Sequence, residues 1–265
     1  MLNPAGTLLA YVENDRGSYK IIVQDVNRKR DRVVWKSGYK TLDQETDYNL
    51  PVLAWRNNTQ LGFVEARRGR MTLRQIKATN GRSIIPLIDN LTTPAATLNE
   101  FSLVRDISYS EDGQRLVVSA IRDGQSDLYI LGSNGRVLEQ LTNDIYDDIQ
   151  PVFMRGSDVV AFSSNRWVDT TGAAPSPTFT GVVNNYDIFT VRRTGAAVDM
   201  QQLTSSIASE LRPRVTADGN LVYLSEESGV RSLYSYNVST GEKTPLTNFI
   251  QGIQAYDYSL SLIHI

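Results

Sequence analysis

The chain has 265 residues, 41% hydrophobic and 21% charged, a globular composition in a length that one large β domain can occupy. It has no cysteine, which excludes disulfides, thiolate zinc sites and cysteine nucleophiles, and no apolar run approaches the roughly 18 residues of a membrane span. The net charge of -2 hides a gradient: residues 1–80 carry 14 Lys and Arg against 8 Asp and Glu, and the remainder carry 13 against 21.

In chain order, the first unit starts at Asn3-Pro4-Ala5-Gly6, runs through Leu9-Ala10-Tyr11-Val12, turns at Asp15-Arg16-Gly17 and continues as Tyr19 to Val26 and Arg32 to Trp35. Met1 falls where an inner strand should end. The second unit holds Val52 to Trp55, Leu61 to Val64, a turn at Arg67-Arg68-Gly69-Arg70, Leu73 to Ile76 and Asn80-Gly81. The basic clusters Arg28-Lys29-Arg30-Asp31-Arg32 and Arg67 to Arg70 lie in or beside these turns, where solvated charge is ordinary and an anionic partner is the alternative.

The third unit is the clearest. Ile107 to Ser110, Arg115 to Ala120 and Ser126 to Leu131 are β-rich runs separated by Asp112-Gly113 and Asp123-Gly124, the chemistry of tight hairpins. A fourth run, Val137 to Thr142, follows Ser133-Asn134-Gly135, giving a four-stranded antiparallel meander of roughly 40 to 45 residues, the size of a propeller blade. The fourth unit has Pro151 to Phe153, Val159 to Phe162, Asn165-Arg166 and Tyr186 to Phe189, interrupted by Trp167 to Val183, which carries Gly172, Pro175 and Pro177 and reads as an excursion between two strands. The fifth runs from Ala217-Asp218-Gly219 through Asn220 to Ser225 and Leu233 to Val238 to Thr244-Pro245-Leu246-Thr247. Gly252 to Ser259 matches the inner strand of a sixth.

Asp112-Gly113, Ser126-Asp127-Leu128-Tyr129, Gln140-Leu141-Thr142-Asn143, Tyr186-Asp187-Ile188-Phe189 and Gln202-Leu203-Thr204 together resemble the TolB-type β-propeller repeat, strongly in units three to five and loosely in one and two. The resemblance implies an all-β propeller of four-stranded antiparallel blades, at least five of a ring of six or more. It predicts residues 1–259 as one domain incomplete at both ends. Leu260 to Ile265 back-translate into a transposase mosaic end and are read as a sequencing-adapter artefact, which leaves His264, the sole histidine, outside the chemistry.

No serine-hydrolase elbow, zinc-protease helix, phosphate loop or dinucleotide fingerprint occurs, and no cofactor is implied. No nucleic-acid module is visible either. Asp106, Asp148 and Glu210 precede inner strands at what read as comparable blade positions, a periodicity that favours loop geometry over catalysis. With Arg105, Asp147, Arg166, Trp167, Arg212 and Arg214 they form the candidate partner-binding set around a channel mouth. Asp127 and Asp187 are read as backbone acceptors that lock blade turns. Tyr11, Phe63, Phe162 and Tyr223 are read as core between blades.

The resemblance implies a non-catalytic scaffold of the bacterial envelope or periplasm that binds proteins or peptides. The alternative is the substrate-gating propeller of a prolyl-oligopeptidase-like or metallo-peptidase, whose repeats are of the same type.

Overall fold

A computed structural model describes residues 1–39, 50–78, 96–166, 185–259 and 262–264. The expected insertion from Trp167 and the Asn80-Gly81 turn lie outside the described residues. Alternating apolar residues punctuated by X-Gly turns produce one strand after another. In blade 1 these are β1 (Leu8–Asp15), β2 (Ser18–Asp25) and β3 (Arg30–Ser37), with Leu2 bridged to Leu9 on the inner side. Blade 2 has β4 (Val52–Trp55), β5 (Gln60–Arg67), β6 (Arg70–Lys77) and β7 (Ala96–Thr97). Blade 3 has β8 (Leu103–Tyr109), β9 (Arg115–Arg122), β10 (Gln125–Gly132) and β11 (Val137–Gln140). Blade 4 comprises β12 (Asp148–Phe153), β13 (Val160–Ser164), β14 (Asp187–Thr194) and β15 (Ala197–Gln202). Blade 5 comprises β16 (Glu210–Val215), β17 (Leu221–Ser225), β18 (Ser232–Tyr236) and β19 (Lys243–Pro245). A last pair, β20 (Asp257–Ser259) and β21 (Leu262–His264), forms its own two-stranded sheet, with β20 in the sixth inner position.

Every blade is an antiparallel meander, so its strands alternate between the two ends of the ring. The hairpins β1–β2, β5–β6 and β9–β10 turn on Arg16-Gly17, Arg68-Gly69 and Asp123-Gly124, all six residues at positive φ. Both central residues of that turn need φ > 0, and glycine takes it without strain at the second.

The Leu-Thr motif after the outer strand has a clear physical task. Thr142, Thr204 and Thr247 each use Oγ1 to accept the backbone N–H of Leu128, Ile188 and Leu233, at 3.0, 2.8 and 2.9 Å. This tie ends β11 at Gln140, two residues before the run predicted to reach Thr142. Asp127 and Asp187 act alongside it, accepting the N–H groups of Asp144 and Ser206.

A sheet hydrophobic on both faces must be covered twice, and the ring achieves this by stacking. Tyr19, Ile21, Trp35, Leu61 and Phe63 fill the gap between blades 1 and 2. Leu73, Phe101, Ile107 and Tyr129 fill the next. Leu128, Phe153, Phe162 and Phe189 join blades 3 and 4, and Ile188, Tyr223 and Tyr234 join blades 4 and 5. Ile253 and Tyr256 cover the far face of blade 5. At Gly62 a side chain has no room, because a Cβ there would sit 2.3 Å from the Tyr109 hydroxyl of blade 3.

Phe63, Phe162 and Tyr223 are buried as expected. Tyr11 is only half-buried. It alternates with Leu8, Ala10 and Val12 and so points away from the face of blade 1 that packs on blade 2.

Candidate functional site

The inner strands converge on a channel. Met1, Ala54, Ser108, Val152, Arg214 and Asp257, one residue from each of the six inner positions, line it together. The ring joins at Asp257, whose carboxylate lies 3.7 Å from Arg214 of blade 5 and 3.8 Å from the Met1 ammonium, and accepts the Leu2 N–H. Towards the end where β8, β12 and β16 turn back, the channel widens into a mouth of about 620 Å³. Tyr109, Val152, Phe153, Met154 and Tyr258 give this mouth an apolar body. Its arginines are already engaged: Arg115 with Asp158 at 2.6 Å, Arg155 with Glu111 at 3.4 Å.

The predicted partner-binding residues divide between the channel and the opposite end. Asp106, Arg212 and Arg214 belong to the channel. Asp106 is partly buried and walled in by inner strands; burial pushes its carboxyl up to about 6 although Arg214, Arg212 and Arg105 pull it down. Arg212 is held through its backbone: its N–H donates to Gln150 Oε1 at 2.7 Å and its carbonyl accepts from Tyr256. Arg105 and Asp147 form a 3.7 Å ion pair at the far end, both side chains over a third exposed. Trp167 lies outside the described residues.

The supposed equivalence of Asp106 with Asp148 and Glu210 is incorrect. Asp148 and Glu210 open their strands opposite Ser164 and Ser225, and the residue in that register in blade 3 is Val104, opposite Ala120. Asp106 sits two residues further on, beyond a bulge. The inner strands of blades 3, 4 and 5 each carry such an irregularity, and Gln150 and Arg212 take φ of 57° and 59° within theirs.

Asp148 and Glu210 are fully enclosed, so neither carboxylate faces a partner. Arg166 reaches both oxygens of Asp148 at 3.0 Å and Asp144 at 2.9 Å, while its guanidinium lies 5.3 Å from the Tyr146 ring and 5.9 Å from Phe189. Asp127 joins them: Asp127, Asp144 and Asp148 bring one carboxylate oxygen each within 4.8 Å of one another. Three carboxylates so close are of the type that binds a metal, but here the Arg166 guanidinium supplies the positive charge. Glu210 meets Lys243 at 3.4 Å, and Lys243 meets Glu227 at 2.7 Å.

These geometries set a pH dependence. Burial raises Asp127 and Asp148 to about 6, with the Asp144 charge adding to the rise in both. A carboxyl raised in the folded state keeps its proton where the unfolded chain has lost it, so folding takes up protons and stability increases as pH falls through about 6 towards 4. The melting temperature is therefore expected to be a few degrees higher at pH 5 than at pH 7.5, and Asp148→Asn should flatten that slope. A melting temperature that falls steadily from pH 7.5 to 5 contradicts this reading.

No sequence family matches the chain, and no curated protein does. Solved structures do. TolB from Acinetobacter baumannii superposes with a TM-score of 0.63 at 17% identity over 92% of this chain and 53% of its own. A protein assigned as TolB in Agrobacterium tumefaciens gives 0.65 at 15% identity over 94% and 80%. The fold is the TolB-type propeller. Prolyl oligopeptidase B from Galerina marginata contains the same architecture, with a TM-score of 0.60 at 12% identity over 99% of this chain and 36% of that enzyme. The chain thus spans about half the length of the Acinetobacter TolB and about a third of the peptidase.

Sequence reasoning missed the channel ring as a set, because Met1, Ala54, Ser108, Val152, Arg214 and Asp257 share a position and no chemistry. The Arg166 clamp had a weak signal in Asn165-Arg166 after Ser163-Ser164, but its acidic partners lie about 20 positions back.

Proposed function

We propose that this TolB-type propeller is a non-catalytic protein-binding scaffold of the bacterial cell envelope, working in the periplasm. The observation that carries the reading is the channel mouth: an apolar floor of Tyr109, Phe153 and Met154 rimmed by arginines that already hold carboxylates. Such a rim gains little by binding a small charged substrate, whereas a polypeptide can bury apolar side chains on the floor and add hydrogen bonds at the edge. Arg212, Arg214 and Asp106 face the segment that enters the channel, and Arg105 with Asp147 marks the opposite rim. Asp148, Glu210 and Arg166 act as internal supports.

The second reading, a substrate gate for a peptidase, draws on the prolyl oligopeptidase likeness that covers nearly the whole chain. Selection of a random peptide library on the purified chain tests the first. Enriched peptides are expected to bind with micromolar affinity by calorimetry, and Met154→Asp is expected to weaken them about tenfold by placing a charge on the apolar floor. Failure to enrich any peptide, or enriched peptides that bind Met154→Asp equally well, would sink the proposal. A hydrolase domain encoded beside this segment would favour the gate.

A further inference from the structure

The end of the ring opposite the mouth has a pattern that the fold does not require. Three residues after each Leu-Thr tie stands an isoleucine: Ile145, Ile207 and Ile250, in the connections into β12, β16 and β20. Ile207 is 100% exposed, Ile250 97% and Ile145 37%. Tyr39 and Leu50, also exposed, flank the connection from β3 to β4, and half-exposed Phe249 adjoins Ile250. These connections share one end with the β5–β6 and β9–β10 turns. The Ser102 N–H, just before β8, bonds the Ile121 carbonyl at the tip of β9, and Glu100 lies 3.5 Å from Arg122. Side chains as exposed as Ile207, Ile250 and Tyr39 contribute nothing to the core.

The same end carries a cluster of positive charge. Arg67 and Arg70 are direct cross-strand partners and Arg68 stands in the turn between them, all exposed. Among the described residues none of the three meets a carboxylate. Like charges directly opposite in a hairpin are unfavourable. Elsewhere on this end charges are spent on one another: Arg105 with Asp147, Arg166 with Asp144, Arg231 with Glu226, Lys243 with Glu227.

We propose that this end docks on an anionic lipid surface, the isoleucines and Tyr39 entering the headgroup layer while Arg67, Arg68 and Arg70 meet lipid phosphates. The apolar groups stand on separate loop tips spread around the ring. A rigid protein partner needs a contiguous apolar core to exclude water, whereas a fluid interface takes up separate tips, and adding basic side chains is how peripheral proteins hold it.

The test is co-sedimentation of the whole chain with vesicles of phosphatidylcholine alone and of phosphatidylcholine containing a third phosphatidylglycerol. Binding to the anionic vesicles is expected, weakened by salt. The triple variant Arg67→Gln, Arg68→Gln, Arg70→Gln should lose on the order of a hundredfold in partitioning. Ile145→Ser, Ile207→Ser, Ile250→Ser should lose about tenfold and leave binding fully salt-sensitive. Unchanged near-UV circular dichroism keeps both variants interpretable. Absence of wild-type binding to anionic vesicles at low salt overturns the proposal. So does equal binding by either variant, or an isoleucine variant that instead converts a vesicle-free oligomer into a monomer.

Discussion

Replacing Arg166 by alanine is expected to lower the folding stability by about 3–5 kcal/mol at pH 7.5, read from urea unfolding. The substitution leaves Asp148, which is fully enclosed, without its cation, and leaves Asp144 and Asp127 as uncompensated neighbours. It also strips the guanidinium from the Tyr146 and Phe189 rings. The ionised cluster cannot be resolvated without opening the seam between blades 3 and 4. Lowering the pH separates this account from one based on lost packing. Asp148 already titrates at about 6 with Arg166 in place, and removing the arginine moves it higher. At pH 5 the carboxyl is therefore protonated in the variant and the penalty shrinks, whereas a loss that came from contact area alone would be the same at both pH values. Arg166→Lys should recover part of the loss, since an ammonium retains the charge but cannot span Asp144 and Asp148 at once.

The blade repeat was legible because its turns and ties are local. Asp112-Gly113 and Asp123-Gly124 specify hairpins by φ alone, and Leu-Thr followed by the next inner strand is short enough for one threonine to close it. The position of the acids was not legible, because a bulge adds residues to an inner strand without changing its composition. Asp106 and Asp148 therefore looked equivalent until the register placed Val104 opposite Ala120 and Asp148 opposite Ser164. The channel was harder still. Its lining comes from six strands whose separation in sequence carries no common motif, and the Arg214 to Asp257 pair closes across 43 positions. The surface loops lie at the other extreme: the isoleucines of the connections into β12, β16 and β20 stand in plain view in the sequence, but only their exposure distinguishes them from core residues.

The second large effect is expected at the seam between blades 1 and 2, where Glu65→Ala should cost about 3–5 kcal/mol. Glu65 is fully buried on β5, and its carboxylate is the common acceptor for three donors from two blades. The Tyr19 hydroxyl and the Trp35 indole N–H at 3.2 Å come from blade 1, and the Arg74 guanidinium at 2.6 Å comes from the next strand of blade 2. These bonds to the charged form, with Arg74 beside it, hold the carboxyl below its ordinary value against a burial effect that alone would raise it. The stabilisation is therefore present through neutral pH and is lost only as the solution is acidified below the ordinary glutamate range, opposite in sign to Asp127 and Asp148. Alanine orphans all three donors, including an arginine whose side chain is only 10% exposed and which lies 4.8 Å over the Trp35 ring. Glu65→Gln keeps an acceptor for Tyr19 and Trp35 and should cost less than half as much. The pair of changes Glu65→Leu with Arg74→Met removes the buried charges together and should restore most of the stability, because well-packed apolar side chains can replace a buried ion pair at little cost. If the double variant is as unstable as Glu65→Ala, the seam depends on the tyrosine and tryptophan bonds rather than on charge balance. Tryptophan fluorescence follows this seam, since Trp35 and Trp55 both lie in the core between blades 1 and 2.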